Sequence, residues 1–189
     1  IVTGLGAGGV TASLGALQEE QDRLPVHARS ALQGIAAQLR ALGSEIDRLE
    51  ARILAWHRND ETSRRLATIP AIGPITASTI AAAVPDASLF RSGRQFTTWL
   101  GLTPRANSSG GKERLGGITK QGDGDLRRLL IVGATAIVRM TRKNPARQPC
   151  MAGLLERKPT KIATVALADK TARIAGALMT RKEVYVVAA

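Results

Sequence analysis

Apolar residues Leu32, Ile35, Leu39, Leu42, Ile46, Leu49, Ile53 and Trp56 recur at alternating spacings of three and four. That rhythm is the a/d seam of a heptad repeat, and it predicts one long helix from about Val26 to Asn59-Asp60. So narrow a stripe needs a partner surface, which is either an identical helix in a homo-oligomer or a second helix of the same protein. The flanking e and g positions (Ala36, Gly43, Glu50; Gln38, Glu45, Arg52) carry too little charge to fix an orientation. Gly43 costs about 1 kcal/mol of helix propensity, so the seam rather than local preference sustains the helix. Residues 1–25 have no clear period and read as a connector with a short helix around Ser13–Arg23, closed by Pro25.

Beyond residue 60 the pattern shortens. Leu66 to Val84 reads as two short apolar helices around the tight turn Ile69-Pro70-Ala71-Ile72-Gly73-Pro74. It has the form of a helix-hairpin-helix, in which N–H groups of the turn and of the second helix hold a DNA phosphate. Ile72, Gly73 and Thr76 are then the phosphate-binding positions, with Ala71 standing where such a turn has its first glycine. An ordinary apolar helical corner fits the same string. Pro85-Asp86 breaks the second helix. A short helix over Ser92–Leu100 follows, with Phe96, Trp99 and Leu100 inward, Arg91 and Arg94 outward, and Gly101 as its stop.

Asp123 or Asp125 caps a helix from about Leu126 to Met140, whose core face is read as Leu129, Leu130, Val132, Gly133, Ala136 and Ile137. Pro145 and Pro149 interrupt before a helix near Met151–Arg157. A last helix over Thr160–Thr180 turns Ile162, Val165, Ala166, Leu167, Ile174 and Leu178 inward, and the VYVVAA end frays. The expected fold class is all-α. A long coiled-coil-like arm (26–60) precedes a compact helical domain (61–183) containing the hairpin and a glycine-rich loop, with a tail at 184–189.

Composition changes this picture in one respect. The chain is 44% hydrophobic and 22% charged, ordinary for a globular protein, yet its net charge is +12. Residues 1–63 carry six Lys/Arg and eight Asp/Glu, whereas residues 64–189 carry 21 and seven, a local net charge of +14. The polyanion-binding part is therefore the C-terminal two-thirds. No basic amphipathic helix with an aromatic apolar face is present, so nucleic acid is favoured over a membrane surface. Aromatic residues are 3% and scattered, which argues against a base-stacking platform. A lone Cys150 excludes an internal disulfide and fits a reducing compartment. The opening at Ile1, without a basic leader, reads as a longer protein cut at its N-terminus.

The candidate chemistry lies in Thr103–Arg128. Gly110, Gly111, Gly116, Gly117, Gly122 and Gly124 keep this stretch from being a regular helix or ordinary strand, so its backbone can approach a ligand. Ser108 and Ser109 sit inside it, and Arg105, Lys112, Arg114, Lys120, Arg127 and Arg128 supply cations. A flexible basic surface loop fits equally well. Arg127 and Arg128 occupy a helix first turn, where the macrodipole favours acids, and a nearby anion would explain them. His27, His57 and Cys150 share no ligand-spaced motif, so no metal site is expected; Asp123 and Asp125 suit either Mg²⁺ or helix capping. Residues 64–189 contain no histidine, which excludes a Ser-His-Asp hydrolase there. A serine attacking a phosphodiester needs instead guanidinium and N–H groups on the non-bridging oxygens, and the loop offers both.

The order IPAIGPITAS, then FRSGRQFTTWLGLTPRANSSGGKERLGGITKQGDGDLRRLL, then a basic helical tail resembles the C-terminal domain of IS110/IS1111-family insertion-sequence transposases. The likeness is specific over about 64–140 and extends over 26–180. It implies a DNA recombinase in the prokaryotic cytoplasm, associated with the nucleoid. Its N-terminal RuvC-like domain, outside these residues, would supply four acidic Mg²⁺ ligands, with a coiled coil connecting. The domain in hand would supply a serine nucleophile that joins covalently to DNA. The nucleophile falls on Ser109 of the SG pair, with Ser108 second. Some members resemble RNA-guided recombinases, so the resemblance implies DNA and, for those members, a non-coding guide RNA as partners. Two positions depart from the pattern: Ala71 replaces a usual glycine, and Gly124 stands where a larger residue such as tyrosine is common. The resemblance implies that this segment alone binds nucleic acid without catalysing.

Overall fold

In the computed structural model the described residues are 7–19, 25–107 and 115–186. The chain divides into two compact units, Ile1–Arg52 and Ile53–Ala189. In the first, α1 (Ala7–Glu19) starts six residues earlier than the sequence suggested, and most of α2 (Val26–Asn59) follows. Ala36 is buried on α2, whereas Ile35, Leu39, Leu42, Ile46, Leu49, Ile53 and Trp56 all stay exposed. No helix among the described residues is long and apolar enough to cross a membrane.

The second unit is all-α in its bulk. The Asp60 side chain accepts the Ser63 N–H at 2.6 Å and starts α3 (Glu61–Leu66), so the first hairpin helix lies before Leu66 rather than after it. Pro70 and Pro74 lack the N–H that a continuing helix would need, and Ala67–Gly73 is therefore a turn. Pro74 at the first helical position then opens α4 (Pro74–Ala83). Leu66, Ile69, Ile72 and Ile80 of this hairpin are buried. His57 Nδ1 and Ser63 Oγ share a hydrogen bond at 2.7 Å, and Ser63 Oγ lies 3.2 Å from Ser78 Oγ. These hydroxyls satisfy one another and tie the end of α2 to α3 and α4.

A 3₁₀ turn at Ala87–Leu89 leads to α5 (Gly93–Trp99), capped by Ser92. Phe96 and Leu100 are buried, but Trp99 is partly exposed and stacks on Phe96 at a centroid distance of 5.8 Å. Two short antiparallel strands, β1 (Pro104–Ala106) and β2 (Leu115–Ile118), follow. They correct the expectation that glycine excludes strand from this stretch. Next come α6 (Gly124–Lys143), a 3₁₀ turn at Pro145–Arg147, α7 (Pro149–Arg157) and α8 (Thr160–Arg181).

The core faces of α6 and α8 differ from the sequence reading. On α6 the buried row is Leu126, Leu130, Ala134, Val138 and Thr141, while Val132 is 61% exposed. On α8 it is chiefly the small residues Ala163, Ala168, Ala172, Ala175 and Gly176, joined by Met179 and by Leu178, which reads inward in the sequence too, while Ile162 is in solvent. Small side chains let α8 lie close to α5 and α6, and that closeness sets the packing. The chain end does not fray through Val186, because Tyr185 N–H donates to Thr68 Oγ1 at 2.9 Å and Tyr185 packs on the core.

Ala71 has φ of +76°, in the left-handed region. A Cβ built on Gly133 would come within 1.9 Å of the Ala71 carbonyl oxygen. The hairpin turn thus rests directly on the α6 backbone, where only glycine leaves room. A left-handed alanine costs about 1–2 kcal/mol, partly offset by the greater freedom glycine has when unfolded. Ala71→Gly is therefore expected to stabilise the protein by roughly 1 kcal/mol in urea unfolding, and Gly133→Ala to destabilise it by ~2 kcal/mol or more. Equal midpoints for both variants and the parent would show that the turn does not sit on α6.

Candidate nucleic-acid interface

Helix α5 ends in a Schellman motif: Gly101 N–H donates to Thr98 O at 2.9 Å and Leu102 N–H to Thr97 O at 3.0 Å. Gly101 has the positive φ, +68°, that this ending requires, and Leu102 is buried. The chain then enters β1, which pairs Pro104 with Ile118 and Ala106 with Leu115. One residue of β1, Arg105, faces two of β2, a bulge accommodated at Gly116-Gly117. Below the strands the pairing continues, with Thr119 N–H on Thr103 O and Lys120 N–H on Gly101 O, both at 3.0 Å.

Here the two ends of the segment cross. A Cβ on Gly101 would lie 1.9 Å from Gln121 O, and one on Gly122, whose φ is +87°, would lie 1.8 Å from Trp99 O. Each glycine makes room for the other strand's backbone. Arg127 Nη1 donates to Leu100 O at 2.9 Å and reaches Gln121 O at 3.5 Å. One guanidinium therefore bridges both sides of this neck, supplying a partner to a helix-terminal carbonyl. Asp123 Oδ1 accepts from Asp125 N–H and Leu126 N–H, both at 2.9 Å, and fixes the start of α6 immediately after the neck.

The site residues from the sequence divide between described and undescribed positions. Ser109 and Ser108, with Lys112 and Arg114, lie outside the described residues, in the connection between β1 and β2. Arg105 is exposed and spends one donor on Thr119 O at 3.0 Å, so it also straps the hairpin. Arg127 spends Nη1 on carbonyl oxygens, so this first-turn arginine has partners within the chain. Arg128 reaches Asp125 at 3.0 Å with both side chains above 70% exposed, a pairing of small energetic weight. Lys120 is exposed, with a left-handed φ of +58°.

In the helical hairpin, Ile72 and Thr76 have buried side chains, and the Ile72 N–H is taken by Ile69 O at 3.1 Å. Ile72 is thus an anchor of the turn, not a phosphate ligand. What faces outward is Gly73, Pro74 and Ile75 at the start of α4, where a built Cβ on Gly73 meets nothing within 4 Å. First-turn N–H groups there are available to an anion. Asp123 caps α6 and Asp125 pairs with Arg128, so the capping role expected of this pair falls to Asp123. Among the described residues no three His, Cys, Asp or Glu side chains gather as a metal group. Sequence reasoning missed the Gly101–Gly122 crossing; the signal for it was a glycine at each end of the segment, one after a helix and one before a cap.

This geometry predicts different consequences for adjacent arginines. Arg127→Lys, which loses the planar fork, is expected to lower stability by about 1–2 kcal/mol, whereas Arg128→Ala should change it by less than ~0.5 kcal/mol. An Arg127→Lys variant of unchanged stability but weakened DNA binding would make that side chain a phosphate ligand instead of a strap.

Residues 63–148, from within α3 to the start of α7, match the family model described as Transposase IS116/IS110/IS902 family. A probable family 20 transposase of Pseudomonas aeruginosa is 47% identical over 163 residues, 86% of this chain and 48% of that protein. The transposase for insertion sequence element IS1111A of Coxiella burnetii is 41% identical over 137 residues, 72% of this chain and 38% of its own. The transposase for insertion sequence element IS1328 of Yersinia enterocolitica is 36% identical over 167 residues, 88% of this chain and 50% of its own. The chain thus spans half or less of the length of these relatives. With the matched segment running from the hairpin through the neck and α6, the chain belongs to the IS116/IS110/IS902 family of transposases.

Proposed function

We propose that this chain is the part of a DNA transposase that binds DNA and presents Ser109, with Ser108 as second candidate, as the nucleophile for strand cleavage and rejoining. The supporting observation is the neck. The residues flanking the segment that bears both serines are brought together at two glycines, each packed on the other strand's backbone, with Arg127 as strap and the β1–β2 pairing beyond. An anchored segment can present a side chain repeatedly in one place, which is what a positioned nucleophile requires.

In the proposed step Ser109 Oγ attacks the phosphorus of a DNA phosphodiester. The Oγ–P bond forms, the bond from phosphorus to the leaving sugar oxygen breaks, the serine proton passes to a base, and the leaving oxygen takes up a proton. Phosphate ester is exchanged for phosphate ester, so a sugar hydroxyl can reverse the attack and rejoin a strand without an energy source. Lys112, Arg114 and Lys120 would neutralise the non-bridging oxygens, and Arg105 has unspent donors for the same task. First-turn N–H groups of α4 would grip a neighbouring phosphate without reading bases. Mg²⁺, bound by a domain outside this chain, would supply further charge stabilisation, and a guide RNA is a partner in some schemes for this family. In the full-length transposase Ser109→Ala is expected to abolish covalent protein–DNA adducts on denaturing gels while leaving DNA affinity within about twofold. Adducts at parental yield would remove Ser109 from the chemistry.

A second reading is a purely binding module, favoured by the commitment of Arg105 and Arg127 to backbone carbonyls. It shares the DNA affinity but lacks any serine-dependent step, so the same gel separates the two.

The uncovered row on α2 supports self-association. Leu42 is 59% and Ile46 62% exposed at consecutive d and a positions, and an apolar seam of this regularity is stabilised by a second copy. The chain is expected to sediment as a homo-oligomer and Ile46→Asp to shift it toward monomer. A monomeric parent chain at tens of micromolar would sink this part of the proposal.

A further inference from the structure

Two adjoining cavities, of about 380 and 420 Å³, open where α6 ends and α7 and α8 begin, and they share Ile137, Arg147 and Gln148. Their floor is aliphatic, with Ile137, Leu167 and Ile174 among its residues, and Ile69-Pro70 of the hairpin turn forms one wall. Their cations are Lys143, Arg147 and Lys170, and their amides Asn144 and Gln148. Among the described residues no Asp or Glu lines either one. That is not general on this surface, since a third cavity of about 560 Å³ mixes Asp60 and Asp86 with Arg65 and Lys182. Nor are the groove's cations neutralised from nearby: Arg65, Arg128 and Arg173 have carboxylate partners, whereas Lys143, Arg147 and Lys170 have none among the described residues.

We infer that this groove holds an unpaired DNA strand, its bases on the aliphatic floor and its phosphates on Lys143, Arg147 and Lys170. The inference rests on the nucleic-acid reading above and adds to it a place and a form of substrate. The apolar part of the lining is mainly aliphatic, so it is no row of stacking aromatics, but it can cover a base face; a duplex keeps those faces stacked, whereas an unpaired strand exposes them. Charge complementarity selects a polyanion, and three cations lining these adjoining cavities without a described acid are stabilised when phosphate arrives. The strand is taken as DNA from the transposase reading above, and deoxyribose asks for no 2′-hydroxyl partner from a groove lined by Ile137, Leu167 and Ile174. The wall formed by Ile69-Pro70 belongs to the turn that leads into Gly73 and the first-turn N–H groups of α4. A strand gripped by one phosphate at that helix start can therefore continue into the groove.

Cys150, the chain's sole cysteine, is exposed and lines the larger cavity, which makes the test direct. The alkylation rate of Cys150 in the whole chain would be followed with oligo-deoxythymidylate, a DNA duplex, or oligo-uridylate, alongside fluorescence anisotropy of each. Saturating oligo-deoxythymidylate is expected to slow alkylation at least tenfold. The duplex should bind without slowing it, and oligo-uridylate should protect several-fold less at equal concentration. An Arg147→Gln/Lys170→Gln variant should bind oligo-deoxythymidylate roughly tenfold more weakly at ~0.1 M salt and bind the duplex within twofold of the parent. Binding of oligo-deoxythymidylate with Cys150 still freely reactive overturns the groove while leaving the nucleic-acid reading intact. Protection by the duplex, or stronger protection by oligo-uridylate, overturns the choice of an unpaired DNA strand. Absence of binding by all three probes defeats both readings together. The footprint on the parent chain decides the matter even if the double variant fails to fold.

Discussion

Backbone lying on backbone is the constraint from which the second unit is built. At the neck, Gly101 and Gly122 each occupy space that a single methyl group would close, and both have positive φ. The Schellman ending of α5 aims one strand into the crossing, and the Asp123 cap of α6 receives the other. Arg127 then stitches the Leu100 carbonyl to the Gln121 side. Remove the close approach and the strap, the cap and the short strand pair lose their common origin. A glycine-rich segment is entropically expensive to order, so its two ends are where structure must be concentrated.

The same economy of side chains appears beneath the hairpin and along α8. Gly133 admits the Ala71 carbonyl, and the alanines of α8 admit α5 and α6. Closely packed small residues leave little to gain from large apolar side chains in those places, which accounts for exposed Val132 and Ile162 on helices that read as inward-facing by sequence. Among the described residues, cations are left to the surface, as at Lys143, Arg147 and Lys170 in the groove by the end of α6. These are the positions where a polyanion would be met, and they are held by a scaffold that uses two arginines of its own, Arg105 and Arg127, as structural ties.

Much of this architecture was legible before any coordinates. The heptad row of α2, the caps at Asp60 and Asp123, the stop at Gly101 and the boundaries of α5, α6 and α8 follow from local chemistry that acts within a few residues. What was not legible depends on distant partners. Arg127 looked like a phosphate ligand because its carbonyl partner, Leu100, is 27 residues away in sequence. Ile72 looked like a ligand because a motif gives positions without saying which groups are already hydrogen-bonded, and its N–H is taken by Ile69 O. Tyr185 looked frayed because Thr68 stands 117 residues earlier. The β1–β2 pairing was hidden by Gly116-Gly117, which has little strand propensity and pairs only because the neck brings the strands together.

The neck itself can be measured residue by residue through native-state amide exchange. Thr119 and Lys120 donate their N–H groups to Thr103 and Gly101 across the crossing. If the crossing is as rigid as its contacts require, both amides should exchange with opening free energies close to that of the buried α6 row, such as Leu130, and move with it as stability is lowered by urea. Exchange of Thr119 and Lys120 at the rate of free peptide, while Leu130 remains protected, would contradict the anchored segment on which the positioned-nucleophile account depends.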